Sequence, residues 1–318
     1  MGESKNENLM QAYSFRQQPL RRNSFADARY VYNTPQHLAL QANSGWVVFE
    51  LLNPQKKVSA RMCINVAAPK ALSPVRAPFG SCEIYARVGV VALLQFFSFI
   101  EAQLRQKKVR QVVIRNWPSL YEPQQAEPVF NVLVHKLNFR FASEVSSIIQ
   151  INRETLLSRM KISERQKAIK AAKLFSFNRC AAPQFKKVYE FIHTCRSERQ
   201  QTLSLSWKQV KQTCAAFPDN FLFFSLTAAS EMAAAAIVIK VNPKIWYTFY
   251  YAHDSKYNKV SPVVYLLTCI YEVAAKEKVK LLDLGTSMVN AEINKSLLHF
   301  KESVGAETVS KFTFVKNY

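Results

Sequence analysis

Glycine is scarce in this chain, with six residues among 318. Loops that wrap a phosphate rely on glycine, because their backbone N–H groups must approach the anion with no Cβ in the way. A glycine-rich coenzyme cradle therefore has little material here. The six cysteines, Cys63, Cys82, Cys180, Cys195, Cys214 and Cys269, include no C-x-x-C pair, and His193 is the one histidine close to any of them. That spacing predicts no structural zinc or other metal site and favours buried free thiols in a reducing cytoplasm. Acidic residues are few: 22 Asp and Glu face 43 Lys and Arg, for a formal charge of +21. The imbalance favours polyanionic partners such as nucleic acid, anionic lipid headgroups or phosphorylated substrates. Long apolar runs are missing too. The most hydrophobic stretch, VGVVALLQFFSFIEAQL, is broken by Gln95 and Glu101 and falls short of the ~20 residues of a spanning helix. The opening MGESKNENLMQAYSFRQQPLRR has no apolar centre, so it reads as a flexible lead-in rather than a secretory signal.

What the chain does have is a 49% hydrophobic composition, enough for sizeable cores, and a length that favours two domains. Laid against itself, it repeats. GWVVFELLNPQKKVSARMCINV (45–66) and NFLFFSLTAASEMAAAAIVIKV (220–241) each read as strand, polar turn, strand. Each is followed by a further extended stretch and an amphipathic helix. Val90, Leu93, Leu94, Phe97, Ile100 and Leu104 mark the apolar face of the first; Val263, Leu266, Leu267, Ile270 and Ala274 mark that of the second. The short apolar runs VRQVVIRN and VKLLDLG then suit parallel strands after a crossover helix. A loop, a short helix and a last extended segment complete each half. The order is β-β-β-α-β-α-β, twice, which predicts an α/β (α+β) chain of two domains, each a mixed sheet flanked by helices. The expected boundaries are a flexible segment 1–30, a first domain 31–153, a basic linker helix 154–178 and a second domain 179–318.

One residue breaks the pattern of its own helix. The segment between Asn294, a good N-cap, and Gly305, a good C-terminal stop, has an apolar stripe of Leu297, Phe300 and Val304. Lys301 falls inside that stripe. A lysine that buries its stem and brings its ammonium to an edge fits this pattern, and so does a lysine held at a site.

The mixed sheets resemble the GNAT acyltransferase fold, and tandem copies narrow the likeness. LLDLGTS…N.SLLHFKESVGAE resembles the C-terminal signature of the FemAB-like branch, the Fem-type aminoacyltransferases and their relatives. SERQKAIKAAKLFSF resembles the basic helix that opens the second domain of that group, and SPVRAPFGS resembles a loop of the first. Members of the branch transfer an amino acid from aminoacyl-tRNA to an amine on a cell-wall precursor, and other relatives use acyl-CoA. The resemblance implies acyl transfer to nitrogen, with Phe300 and Lys301 matching the FK pair at the transfer centre. No tightly bound cofactor is expected; acyl-CoA or aminoacyl-tRNA is the implied donor substrate. One departure stands out, because acetyl-CoA-binding members carry Q/R-x-x-G-x-G/A before the central helix, where this chain has YAHDSKYNKVSP.

Further candidates surround this frame. Asp283 suits a base or an orienting carboxylate, or one satisfied by loop amides. Thr286, Ser287, Asn290 and Asn294 form a polar loop beside Lys301, with substrate contact and loop or capping duty as the two readings. Tyr251 and His253 end a strand where the fold opens its cleft, as substrate contacts or rim aromatics. Ser261, Lys259 and Lys256 offer a phosphate site at a helix N-terminus. Arg76, with Phe79 in the same loop, is a candidate phosphate clamp or an ordinary surface arginine. The basic run Arg159, Lys161, Arg165, Lys167, Lys170 and Lys173 is a solvated face, or a surface for tRNA or an anionic membrane. Three functions are compatible: an acyl or aminoacyl transferase of cell-envelope or surface-polymer metabolism, cytoplasmic and peripheral at the inner face of the membrane; an acyl-CoA-dependent N-acyltransferase on a small molecule or glycan; and a non-catalytic basic adaptor for nucleic acid or membrane surfaces.

Overall fold

The computed structural model describes residues 13–318. Its first elements are β1 (Ser14–Pro19), α1 (Pro35–Gln41), β2 (Trp46–Leu52), β3 (Val58–Ala67), β4 (Lys70–Ser73), β5 (Cys82–Ile84), α2 (Val90–Gln106), β6 (Gln111–Pro118), α3 (Pro123–Phe130) and β7 (Arg140–Gln150). There follow α4 (Leu156–Arg159), α5 (Ile162–Ala172), β8 (Ser176–Arg179), α6 (Phe185–Ser197), α7 (Trp207–Ala216), β9 (Phe221–Ala228), β10 (Glu231–Asn242) and β11 (Ile245–His253). The chain ends with α8 (Pro262–Lys276), β12 (Leu281–Thr286), the two-residue strands β13 (Met288–Val289) and β14 (Glu292–Ile293), α9 (Lys295–Ser303) and β15 (Glu307–Asn317). Two compact units result: one runs to Ser143 and includes Lys311–Tyr318, the other is Glu144–Ser310.

Both units have the mixed sheet and flanking helices that the repeat predicts. In the first, the strands lie in the order β1-β2-β3-β4-β6-β15, with β5 on β3. Its β2–β3 hairpin is antiparallel and β6 runs parallel to β4. In the second the order is β7-β12-β11-β10-β9-β8, with β9–β10 antiparallel and β12 parallel to β11. The final strands are exchanged. β7, the last strand of the first half, pairs with β12 through Ser146–Gln150, while β15, the last of the second half, pairs with β6 through Lys311–Asn317.

The apolar stripes form the cores. Leu93, Phe97, Ile100 and Leu104 of α2 pack on Phe49, Met62 and Val112 in the first unit. Leu266, Leu267, Ile270 and Ala274 of α8 pack on Ala234, Ala236 and Leu282 in the second. The alanines of β10 leave room for close approach, and both α6 and α8 pack on β10 and β11. The first unit also buries a charged network that its strand pattern did not suggest. Glu50 accepts from Arg61 Nε at 2.8 Å and from Arg16 Nε at 2.7 Å, and Arg61 Nη1 donates to Asp27 at 2.7 Å and Tyr85 at 2.9 Å.

Two expectations change. Residues 14–19 of the supposed lead-in are β1, paired in register along β2, while residues 1–12 of that segment lie outside the described residues. Residues 154–178 hold α4, α5 and β8, and their Leu156, Met160, Ala168, Ala171 and Phe175 belong to the core of the second unit. Alternating apolar positions at helical spacing dock this segment rather than leave it as a linker.

Candidate active site

In the second unit β11 and β12 pair only through Ile245↔Leu281, Trp246↔Leu282 and Tyr247↔Asp283. Both strands run on past that point without pairing to each other, β11 to His253 and β12 to Thr286. The backbone carbonyls of Gly285 and Thr286 find their donor elsewhere, in the ammonium of Lys301. Lys301 Nζ donates to both at 2.8 Å, and the residue is only 1% exposed.

Local structure places it there. The Asn294 side chain accepts from Leu297 N–H at 3.0 Å and starts α9. Gly305, at φ +93°, ends the turn after the helix in a conformation that suits glycine. Between these stops the 100° spacing turns Lys301 inward, as the sequence predicts. Gly285 sits at φ +76°, where a Cβ would lie 3.1 Å from the Tyr247 ring, so only glycine brings its carbonyl under the ammonium without strain. Asp283 Oδ1 accepts from Gly285 N–H at 2.6 Å and fixes that turn. Burial pushes the Lys301 pKa down to about 8; the Asp283 carboxylate opposes this and the Arg196 guanidinium reinforces it. An ammonium has three N–H donors. Two are directed at carbonyls.

Arg196, on α6, was not among the sequence candidates. Its Nη2 donates to Tyr251 O at 3.2 Å, and its Nε is buried with no hydrogen-bond partner among the described residues. The apolar positions Val188, Tyr189, Ile192 and Cys195 give α6 a helical period that was available in the sequence. That the next residue meets the end of β11 depends on tertiary packing. Tyr251 is half-buried, with burial pushing its phenol up to about 12. His253 is held below the usual histidine range, chiefly by burial. Its ring Nε2 lies 3.1 Å from Arg199 Nη2 and 2.8 Å from Asn258 Oδ1.

The other candidates fall into place around or away from this centre. Thr286 is exposed beside Lys301 and donates to Val145 O at 3.2 Å. Ser287 is fully buried with its Oγ 3.5 Å from that of Ser147, which makes it a packing contact rather than a substrate contact. Asn290, at φ +50°, forms the turn between β13 and β14. Phe300, on α9, is partly buried against the core of the second unit. Ser261 does not cap α8; it sits at φ 45° with its hydroxyl turned back to Asn258 O. Lys256 is ion-paired with Glu231 at 2.5 Å and lies 3.6 Å from Asp254, and Lys259 is exposed. The expected phosphate cluster is therefore not assembled, because local carboxylates and the preceding turn take up two of its members. Arg76 and Phe79 belong to the first unit. Arg76 donates from Nε to Gln41 O and from Nη2 to Leu40 O, both at 3.0 Å, so it closes the end of α1. Phe79 is buried edge-on against Tyr30, Tyr32 and Tyr121.

Two units of this strand order, the second with a parallel β11–β12 pair that parts at one end, can be compared with known structures. The chain is similar to FemX at a TM-score of 0.66 and 12% identity, over 91% of this chain and 92% of that one. The fold is the FemAB-like, tandem GNAT fold. L-PGS from Bacillus licheniformis matches at a TM-score of 0.56 and 11% identity, over 87% and 85% of the two chains. A tandem GNAT protein from the clavulanic acid biosynthesis pathway matches at 0.51 and 12%, over 96% and 98%. By sequence, no family model and no curated protein matches.

Proposed function

We propose that this protein transfers an acyl or aminoacyl group to an amine in cell-envelope or surface-polymer metabolism, with Lys301 at the transfer centre. The observation that carries the reading is the Lys301 ammonium, buried and held by two carbonyls 2.8 Å away, with no acceptor for its third N–H among the described residues. The likeness to FemX and to L-PGS supports the same class.

The chemistry follows from that placement. The acceptor amine attacks the carbonyl carbon of the donor ester, a C–N bond forms, and the carbonyl π electrons move onto oxygen. A pre-positioned cation away from water stabilises that oxyanion far better than a solvated one. Collapse re-forms the carbonyl and breaks the C–O bond, and the departing alkoxide takes the proton lost by the amine. Asp283 holds the loop of Gly285 and supports the ammonium by charge. Thr286, Tyr251 and His253 would contact substrate. An aminoacyl ester is the preferred donor over acyl-CoA, because Lys256 is already ion-paired and the turn before α8 is without glycine.

The test is transfer from labelled aminoacyl-tRNA, and in parallel from acetyl-CoA, to nucleotide-linked amine acceptors. Lys301→Met keeps the aliphatic stem, so it is expected to remain folded by circular dichroism and to lose on the order of 10²-fold or more in turnover. A folded variant with turnover equal to wild type would remove Lys301 from the chemistry.

A further inference from the structure

The basic run at α4–α5 divides into two sets by what its side chains contact. Arg159 donates to Gln150 O and pairs with Glu307 at 3.4 Å. Arg165 donates from Nε to Leu157 O at 2.8 Å and from Nη2 to Ser158 O at 3.1 Å. Lys167 pairs with Glu164 at 2.6 Å. These three serve the fold. Lys161, Lys170 and Lys173 are exposed and have no ion pair among the described residues.

The same surface exposes aliphatic side chains. Glu164, Ala168 and Ala171 form the inward face of α5, which packs on α8. At 100° per residue Ile162, Ile169 and Lys173 fall on the opposite side. Ile162 is 71% exposed, Ile169 47%, and Leu174 in the turn after the helix 55%. A solvated helix gains nothing from isoleucine on its outer face, whereas an interfacial helix presents that combination: aliphatic side chains to enter the headgroup boundary and lysines to meet anionic lipid.

We infer that the outer face of α5, with Ile162, Ile169 and Leu174 ringed by Lys161, Lys170 and Lys173, docks the protein on an anionic lipid bilayer. RNA is the other polyanion this charge could meet. Phosphate backbones offer no partner for three exposed aliphatics, and α5 carries no aromatic side chain on which a base could stack. The inference does not depend on the chemistry at Lys301.

The experiment is co-sedimentation of the full chain with vesicles of phosphatidylcholine alone and of phosphatidylcholine with phosphatidylglycerol, at low and raised salt. Binding is expected only with the anionic lipid. The double variant Ile162→Ser/Ile169→Ser is expected to lower partitioning by roughly tenfold, and Lys170→Gln/Lys173→Gln by a similar factor at low salt but less at high salt. Circular dichroism and thermal melting on both variants verify folding. If either double variant unfolds, the single changes Ile162→Ser and Lys173→Gln at the most exposed positions replace it. Absent vesicle binding, or binding that the variants leave unchanged, would overturn the proposal. So would a serine double variant that binds vesicles like wild type while the glutamine variant loses tRNA, which would mark a nucleic-acid surface. Concentration-dependent dimerisation removed by the serine changes, without vesicle binding, would instead assign the face to a second copy.

Discussion

Lys301 directs two of its three donors at the protein and keeps its charge at a cost, because burial favours the neutral amine. That cost has a measurable sign. The folded pKa of about 8 lies below the ~10.4 of an unfolded lysine, so between these values the unfolded chain binds more protons than the folded one. Stability is therefore expected to rise with pH from about 8 to about 10 relative to a chain without this group, by up to roughly 3 kcal/mol. Urea unfolding of wild type and Lys301→Met across that window measures the difference, and parallel curves would show that the ammonium is not desolvated. At neutral pH the methionine variant should lie within about 2 kcal/mol of wild type. Relief from burying a cation offsets the loss of two hydrogen bonds to carbonyls.

At the scale of elements, the site is made by a strand end and a helix that faces it. Gly285 is the hinge of that arrangement, since its carbonyl receives Lys301 and its N–H is received by Asp283. Gly285→Ala puts a Cβ 3.1 Å from the Tyr247 ring in a left-handed backbone. It is expected to cost about 1–3 kcal/mol and to lower turnover more than Thr286→Ala does. Chemical denaturation and steady-state kinetics on the two variants would show it, and an alanine tolerated on both counts would contradict the geometry. The helix that carries Lys301 was legible in the sequence because its stops are local: Asn294 before it, Gly305 after it, and an apolar stripe between. The two hairpins were legible for the same reason. Arg196 was not, since nothing in the neighbourhood of Cys195 announces that α6 ends against β11. Glu50 was hidden differently. Between Phe49 and Leu51 in a strand it reads as a solvent-facing carboxylate, and only its pairing with Arg61 explains its burial. Ser261 had the right residue type for a cap, but the turn before α8 decided its backbone conformation.

For the whole molecule, strand exchange was beyond the reach of a linear reading, because the apolar runs of β6 and β12 are alike and nothing local to either names its final partner. Its energetic weight rests on residues such as Phe314, fully buried in the first unit although it lies near the end of the chain. A fragment ending at Ser143 lacks the partner of β6, and a fragment starting at Glu144 carries Lys311–Asn317 with no β6 to pair with. Each alone is expected to aggregate through its unpaired edge. Mixed during refolding, they are expected to give a soluble 1:1 complex on size exclusion, and a first fragment that is monomeric and protease-resistant by itself would count against the exchange. The order of synthesis carries the same topology into the cell. The first unit leaves the ribosome early, yet its sheet waits for Lys311–Asn317 while the 167 residues of Glu144–Ser310 are made, roughly ten to thirty seconds at ordinary elongation rates. During that interval the β6 edge is open, so this chain has reason to engage a holding chaperone for as long as its own last strand is unmade.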